Sequence, residues 1–127
     1  MINANELRLG NWLQWNLMPD CAKYFQVTGL YQGSVISINN GSFNVLIDRM
    51  HSPIPITPEI LLKCGFEETE EKLFIKDIDS GTLFINFYTK KSGISTHLSA
   101  FEINIWQLHQ LQNLYFTLTG EELKVEL

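Results

Sequence analysis

Asn104-Ile105-Trp106-Gln107-Leu108-His109-Gln110-Leu111-Gln112-Asn113-Leu114-Tyr115-Phe116-Thr117-Leu118-Thr119-Gly120 is the one long helical pattern in the chain, and the rest is read outward from it. At about 100° per residue, Ile105, Leu108, Leu111, Leu114, Tyr115, Phe116 and Leu118 spread over roughly 200° of the helix surface. That arc is too wide for a helix packed on one side, so cover on at least two sides is expected. A wedge of Trp106, His109, Gln110, Asn113 and Thr117 is left for water or a partner. Asn104 is the expected N-cap with Gln107 at N3. Gly120 is the expected C′ residue, because glycine takes the left-handed conformation without a Cβ clash.

Upstream of this helix the apolar period changes to two. Strands are expected at 73–78, 82–89 and 96–103, with Asp79-Ser80-Gly81 as one turn and Lys90-Lys91-Ser92-Gly93 as a loop. The long helix is expected to pack across this meander. Leu123, Val125 and Leu127 alternate after it and predict a last strand. Thr57-Pro58-Glu59-Ile60-Leu61-Leu62-Lys63-Cys64-Gly65 reads as a short complete helix: Thr57 caps it, Pro58 sits where its missing N–H costs nothing, and Gly65 stops it. The run Glu67, Glu68, Glu70 and Glu71 between this helix and the meander reads as a solvated turn.

In the N-terminal half, Trp12–Trp15, Tyr24–Thr28, Val35–Ile38 and Phe43–Ile47 are expected strands, with Gly29 and Gly33 bracketing one turn. Asn39-Asn40-Gly41 is the strongest hairpin signal, since a primed turn needs positive φ. Four short strands within about 50 residues predict a small, strongly bent sheet, preferably an SH3-like β-barrel. Pro53-Ile54-Pro55-Ile56 is its last piece, confined to an edge because proline donates no ladder bond. The expected fold is therefore α+β: an SH3-like barrel lobe over residues 1–56 and a lobe of short helix, meander and long helix over residues 57–127, sharing one core.

A hydrophobic content of 45% in 127 residues supplies one packed domain or two small lobes, and argues against disorder. The net charge of −5 is unevenly placed. Residues 1–55 balance to zero, and residues 56–127 carry six lysines against eleven carboxylates. A global basic footprint for nucleic acid is absent. Cys21 and Cys64 show no metal or redox spacing, and no leader or membrane span is legible, so the expected compartment is the cytoplasm, with free thiols.

Three blocks together carry a resemblance: Asn5-Glu6-Leu7-Arg8-Leu9-Gly10-Asn11-Trp12, then Pro53-Ile54-Pro55-Ile56-Thr57-Pro58-Glu59 through Gly65-Phe66, and His109-Gln110-Leu111-Gln112-Asn113-Leu114-Tyr115-Phe116-Thr117-Leu118-Thr119-Gly120-Glu121-Glu122-Leu123. In them the chain resembles a family of small proteins carried by prophages and mobile elements of gut-associated bacteria. The resemblance implies a biological context and carries over no catalytic residue.

Candidate chemistry is thin. Asp77-Ile78-Asp79-Ser80-Gly81-Thr82 approaches the Asp-x-Asp-Gly-Thr of haloacid-dehalogenase phosphotransferases, but Ser80 is inserted before the glycine, and too little chain follows for that fold. A plain hairpin turn is preferred. A calcium loop there lacks its late bidentate glutamate. His51, His97 and His109 are scattered, so no metal and no cofactor are expected. The aromatics say more. Trp12, Trp15 and Tyr31 crowd the expected barrel, where exposed rings can stack on peptides or single strands, or can simply fill the core. Trp106, His109 and Asn113 either cap edges internally or face a partner. These six residues form the candidate partner surface of an expected non-enzymatic binding or adaptor protein, with a protein partner or self-association ahead of nucleic acid. The alternative is a nucleic-acid accessory factor using the barrel aromatics with Lys90 and Lys91.

Overall fold

The computed structural model describes residues 7–15, 24–31, 34–39, 42–46 and 51–127, with side chains at 15, 29, 31, 34–39, 42–46 and 51 excepted. The chain is α+β and divides into two units. The first comprises Met1–Pro55 with Gln107–Asn113, the second Ile56–Trp106 with Leu114–Leu127.

Among its described residues the first unit holds six short strands: β1 (Trp12–Trp15), β2 (Tyr24–Gln26), β3 (Gly29–Tyr31), β4 (Ser34–Asn39), β5 (Ser42–Leu46) and β6 (His51–Pro53). They form two antiparallel sheets, ordered β2-β1-β6 and β3-β4-β5. Among the described residues these sheets do not close into the expected barrel. The chain leaves the first sheet at Val27, whose N–H donates to Asn11 and whose carbonyl accepts from Gly10, and it enters the second at Gly29. Gly29, read from sequence as a turn residue, begins β3 opposite Ile36. Asn39 pairs with Ser42 across the predicted hairpin, whose Asn40 and Gly41 lie outside the described residues. Leu13, Phe25 and Val27 bury the inner face, while Tyr24 and Gln26 alternate outward.

Helix α2 (Leu108–Thr119) begins four residues after the expected Asn104 cap. Residues 104–107 have other bonds to make. Ile105 N–H donates to Ser92 Oγ at 3.1 Å, Ile56 N–H donates to the Trp106 carbonyl, and Leu108 N–H donates to the Ile54 carbonyl. A helix starting at Ile105 would claim the Leu108 N–H and the Trp106 carbonyl for its own ladder and so forfeit the bonds to Ile54 and Ile56. Residues 108–113 of α2 belong to the first unit, where Leu108, His109, Leu111 and Gln112 are buried.

In the second unit α1 (Pro58–Lys63) follows its expected signals. Thr57 Oγ accepts from Ile60 N–H, proline opens the first turn, and Gly65 ends it at φ 85°. Then come β7 (Glu67–Glu70), β8 (Leu73–Ile78), β9 (Gly81–Asn86), β10 (Lys91–Ser95) and β11 (Ala100–Glu102), a five-stranded antiparallel meander in the order β11-β10-β9-β8-β7. Four expectations change here. The strand expected over 96–103 shortens to β11, because Thr96 bonds to Leu98 and Ser99 in a turn. Glu67, Glu68 and Glu70 of the glutamate run lie in an edge strand with a bulge between Glu68 and Glu70, features that disfavour edge pairing, and Glu71 lies in the turn after it. The predicted Lys90–Gly93 loop lies mostly in β10. The tail is no strand, although Leu123 is buried and Glu126 N–H reaches the Lys63 carbonyl. Phe74, Leu83, Ile85 and Ile94 share the core face of the sheet, and Ile60, Leu61, Cys64, Phe66 and Ile105 are buried in the same unit. Among the described residues no helix is long and apolar enough to cross a membrane.

Candidate protein-binding edge

The two ends of the five-stranded sheet differ in chemistry. At one end stands acidic β7. At the other, all three residues of β11 are exposed, and so is the turn before it. Leu98 is 83% exposed and Phe101 55%, so two large apolar side chains stand in water beside a strand whose outer side pairs with no other strand among the described residues. Scattered exposed leucines are ordinary, but apolar groups along an unpaired backbone edge mark a contact surface.

Local chemistry explains why the edge stands where it does. Thr96 closes the β10–β11 turn: its N–H donates to the Ser99 carbonyl, and its hydroxyl accepts from the N–H groups of Leu98 and Ser99. That knot points His97 and Leu98 outward. Gly93 leaves room for β11, since a Cβ there would collide with the Phe101 carbonyl oxygen. Ser92, buried, anchors the exit by donating its hydroxyl to the Ile103 carbonyl. Lys91 reaches diagonally to Glu102 at 3.3 Å, but both side chains are well exposed, so that pair is worth under about 1 kcal/mol. Complete cover would bring roughly 1–2.5 kcal/mol at Leu98 and about half the full value of 1.5–3 kcal/mol at Phe101, which is already partly covered. The apolar term therefore dominates at this edge.

Backbone polarity follows from the same contacts. Thr96 with Ser99 and Ser92 with Ile103 are hydrogen-bonded positions, and Ile94 stands opposite Phe101 between them. Antiparallel pairs alternate, so Phe101 turns its N–H and C=O toward β10, and Ala100 and Glu102 turn theirs to the open side.

The six residues singled out from sequence fare differently. Trp12 is half-buried in β1, and its N–H donates to Gln112 Oε1 at 2.8 Å. Trp15 pairs with His51 and Tyr31 with Ser34, and both side chains lie outside the described set. Trp106 is half-buried, edge-on to Phe87 at 6.1 Å, and Phe87 is edge-on to Phe74 at 5.7 Å. His109 is fully buried, which removes it from any partner surface. Asn113 works internally: its Oδ1 accepts from Arg8 Nε at 2.8 Å and from Asn11 Nδ2 at 2.9 Å.

Asn113 is one part of a clasp that composition and periodicity do not reveal. Arg8 also donates to the Gln112 carbonyl, and Gln112 Nε2 donates to the Gly10 carbonyl. Gln112 is 2% exposed, and Asn11 is fully buried. The first and last sequence blocks quoted above thus meet in one hydrogen-bonded network within the first unit. Of the six candidates, it joins Trp12 and Asn113.

The Asp77–Thr82 stretch forms a hairpin turn, with Ile78 opposite Gly81. The Asp77 carboxylate accepts from the Thr82 hydroxyl at 2.8 Å, and the turn borders an open cleft of about 450 Å³ that also touches Ser95 and His97. Among the described residues no three His, Cys, Asp or Glu side chains are placed to hold a metal. Cys64 is buried, and loss of solvent pushes its thiol from 9.0 up to about 12 against the opposing pull of Lys76, so it is a packing group at neutral pH. Comparison with family models, with curated proteins and with solved structures found no match.

Proposed function

We propose that this protein is a non-enzymatic binding or adaptor protein of a prophage or mobile element, acting by contact with another protein. The observation that carries the reading is the open, apolar β11 edge with Leu98 and Phe101 in solvent, opposite an edge sealed by charge. Strand addition at such an edge combines main-chain hydrogen bonds with apolar anchors. The mobile-element context rests on the three sequence blocks. Within the first unit, the Arg8–Asn113 clasp ties the residues that lead into β1 to helix α2.

Captures of protein by the tagged full chain and by its Leu98→Asp variant test the reading. The wild type is expected to retain specific proteins that the variant loses. Equal capture by both would remove the edge from the function.

A second reading, a nucleic-acid accessory factor, draws on Tyr24, which is 42% exposed, and on half-buried Trp12 in the charge-balanced first unit. It predicts single-stranded DNA binding that weakens steeply with salt. The acid excess of residues 56–127 and the engagement of Lys91 by Glu102 stand against it.

A further inference from the structure

We propose that a second copy of this chain is the occupant of the β11 edge, paired antiparallel about Phe101 so that two five-stranded sheets become one of ten. The proposal rests on the protein-binding reading above and names its partner.

Register and charge select the copy. Ala100 and Glu102 turn their backbone groups outward, and they are spaced symmetrically about Phe101. Twofold pairing about Phe101 therefore sets Ala100 opposite Glu102 of the second copy, and Glu102 opposite its Ala100. Each pair exchanges two N–H···O=C bonds, which makes four in all. Phe101 then meets Phe101 of the second copy at a non-hydrogen-bonded position, where side chains approach most closely. Phe101 shares the face of Ile94 and Leu83, so the new aromatic pair continues the buried side of the sheet.

The alternatives among the sheet's own edges are electrostatically poor. Pairing β7 with β7 sets glutamates on glutamates, and pairing β11 with β7 sets Glu102 among Glu67, Glu68 and Glu70. In the β11–β11 register the one charge of the strand faces alanine, with Lys91 of its own chain beside it. Like charges opposed across strands are destabilising, so the closed twofold pair is favoured over an open head-to-tail chain. The paired strands are short, and the area covered falls at or below the small end of specific interfaces, about 1,200 Å². The dimer is accordingly expected to be weak, with a Kd of about micromolar or above.

Sedimentation equilibrium of the full chain between about 5 and 500 μM reads this out against that expected Kd. Wild type is expected to pass from monomer to dimer. Ala100→Pro removes an N–H that the monomer leaves unused, so it should keep the melting transition and weaken the dimer at least tenfold. Phe101→Cys in a Cys21→Ser background should oxidise to a disulfide-linked dimer faster than Leu98→Cys does, because only residue 101 lies on the twofold axis. A wild type that stays monomeric throughout, a dimer indifferent to Ala100→Pro, or faster crosslinking through residue 98 would overturn the proposal. Its failure is separable from that of the binding reading. A monomeric chain that still loses captured protein on Leu98→Asp refutes the second copy alone, and capture unaffected by Leu98→Asp refutes the binding role of the edge.

Discussion

At the scale of single residues, Gln112 carries more of the first unit than its side-chain type suggests. Its amide accepts from Trp12 N–H and donates to the Gly10 carbonyl from a site 2% exposed to solvent. Gln112→Ala strands that N–H and opens a cavity, and should cost about 2–4 kcal/mol in urea denaturation. Leu111→Ala should cost a similar 2–5 kcal/mol, because Leu111 is fully buried. Gln110, half-buried on the same helix, should shift the midpoint less than either when replaced by alanine. Cys64 gives a pH prediction. Its folded value lies above the ordinary 9.0, so the folded state holds the proton more tightly and the contribution is complete below pH 9. Stability should then fall as pH rises from 9 toward 12, and Cys64→Ala should show a shallower fall across that window. Parallel slopes for the two proteins would show that the thiol is not titrating with unfolding.

At the scale of elements, α1 and the β8–β9 hairpin were legible because their signals are local: Thr57, Pro58 and Gly65 act within one turn, and Asp79-Ser80 bends between two apolar runs. Thr57→Ala should cost about 1 kcal/mol, the usual worth of an N-cap. The start of α2 was misread because Asn104 and Gln107 imitate a capping pair. What overrides them is a set of distant acceptors and donors at Ser92, Ile54 and Ile56, which no local pattern encodes. β10 was misread for a similar reason. Gly93 looks like a loop residue, yet it serves in a strand by letting the Phe101 carbonyl approach. Gly93→Ala should therefore loosen β11, with faster amide exchange at Ile103, whose N–H is bonded to Ser92. Lys90 takes the opposite role, a non-glycine at φ 57° in the β9–β10 turn. Lys90→Gly should raise stability by up to about 1 kcal/mol, read as a higher denaturation midpoint. The binding edge was the least legible part: a strand over 96–103 could be expected, but the order of strands, which leaves β11 at an end, is a property of the whole sheet.

At the scale of the molecule, the first unit is discontinuous in sequence, drawing on Met1–Pro55 and on Gln107–Asn113. Leu13, Phe25 and Val27 are buried in a unit completed by Leu108 and Leu111, and the clasp needs Gln112 and Asn113. A fragment ending at Pro55 should therefore remain unfolded, with a collapsed spread of amide shifts in NMR, whereas the full chain is dispersed. A well-dispersed spectrum from the fragment would show that its sheets suffice alone.

That discontinuity also sets an order of events during synthesis. The first-unit strands emerge early, but Gln112 and Asn113 follow Pro55 by more than fifty residues. At about 5–20 residues per second the ribosome delivers them some 3–12 s later. Throughout that interval the Arg8 guanidinium, the Asn11 amide and the Trp12 N–H lack their partners at Gln112 and Asn113. The nascent chain exposes apolar surface to proteases and to neighbouring chains during that interval.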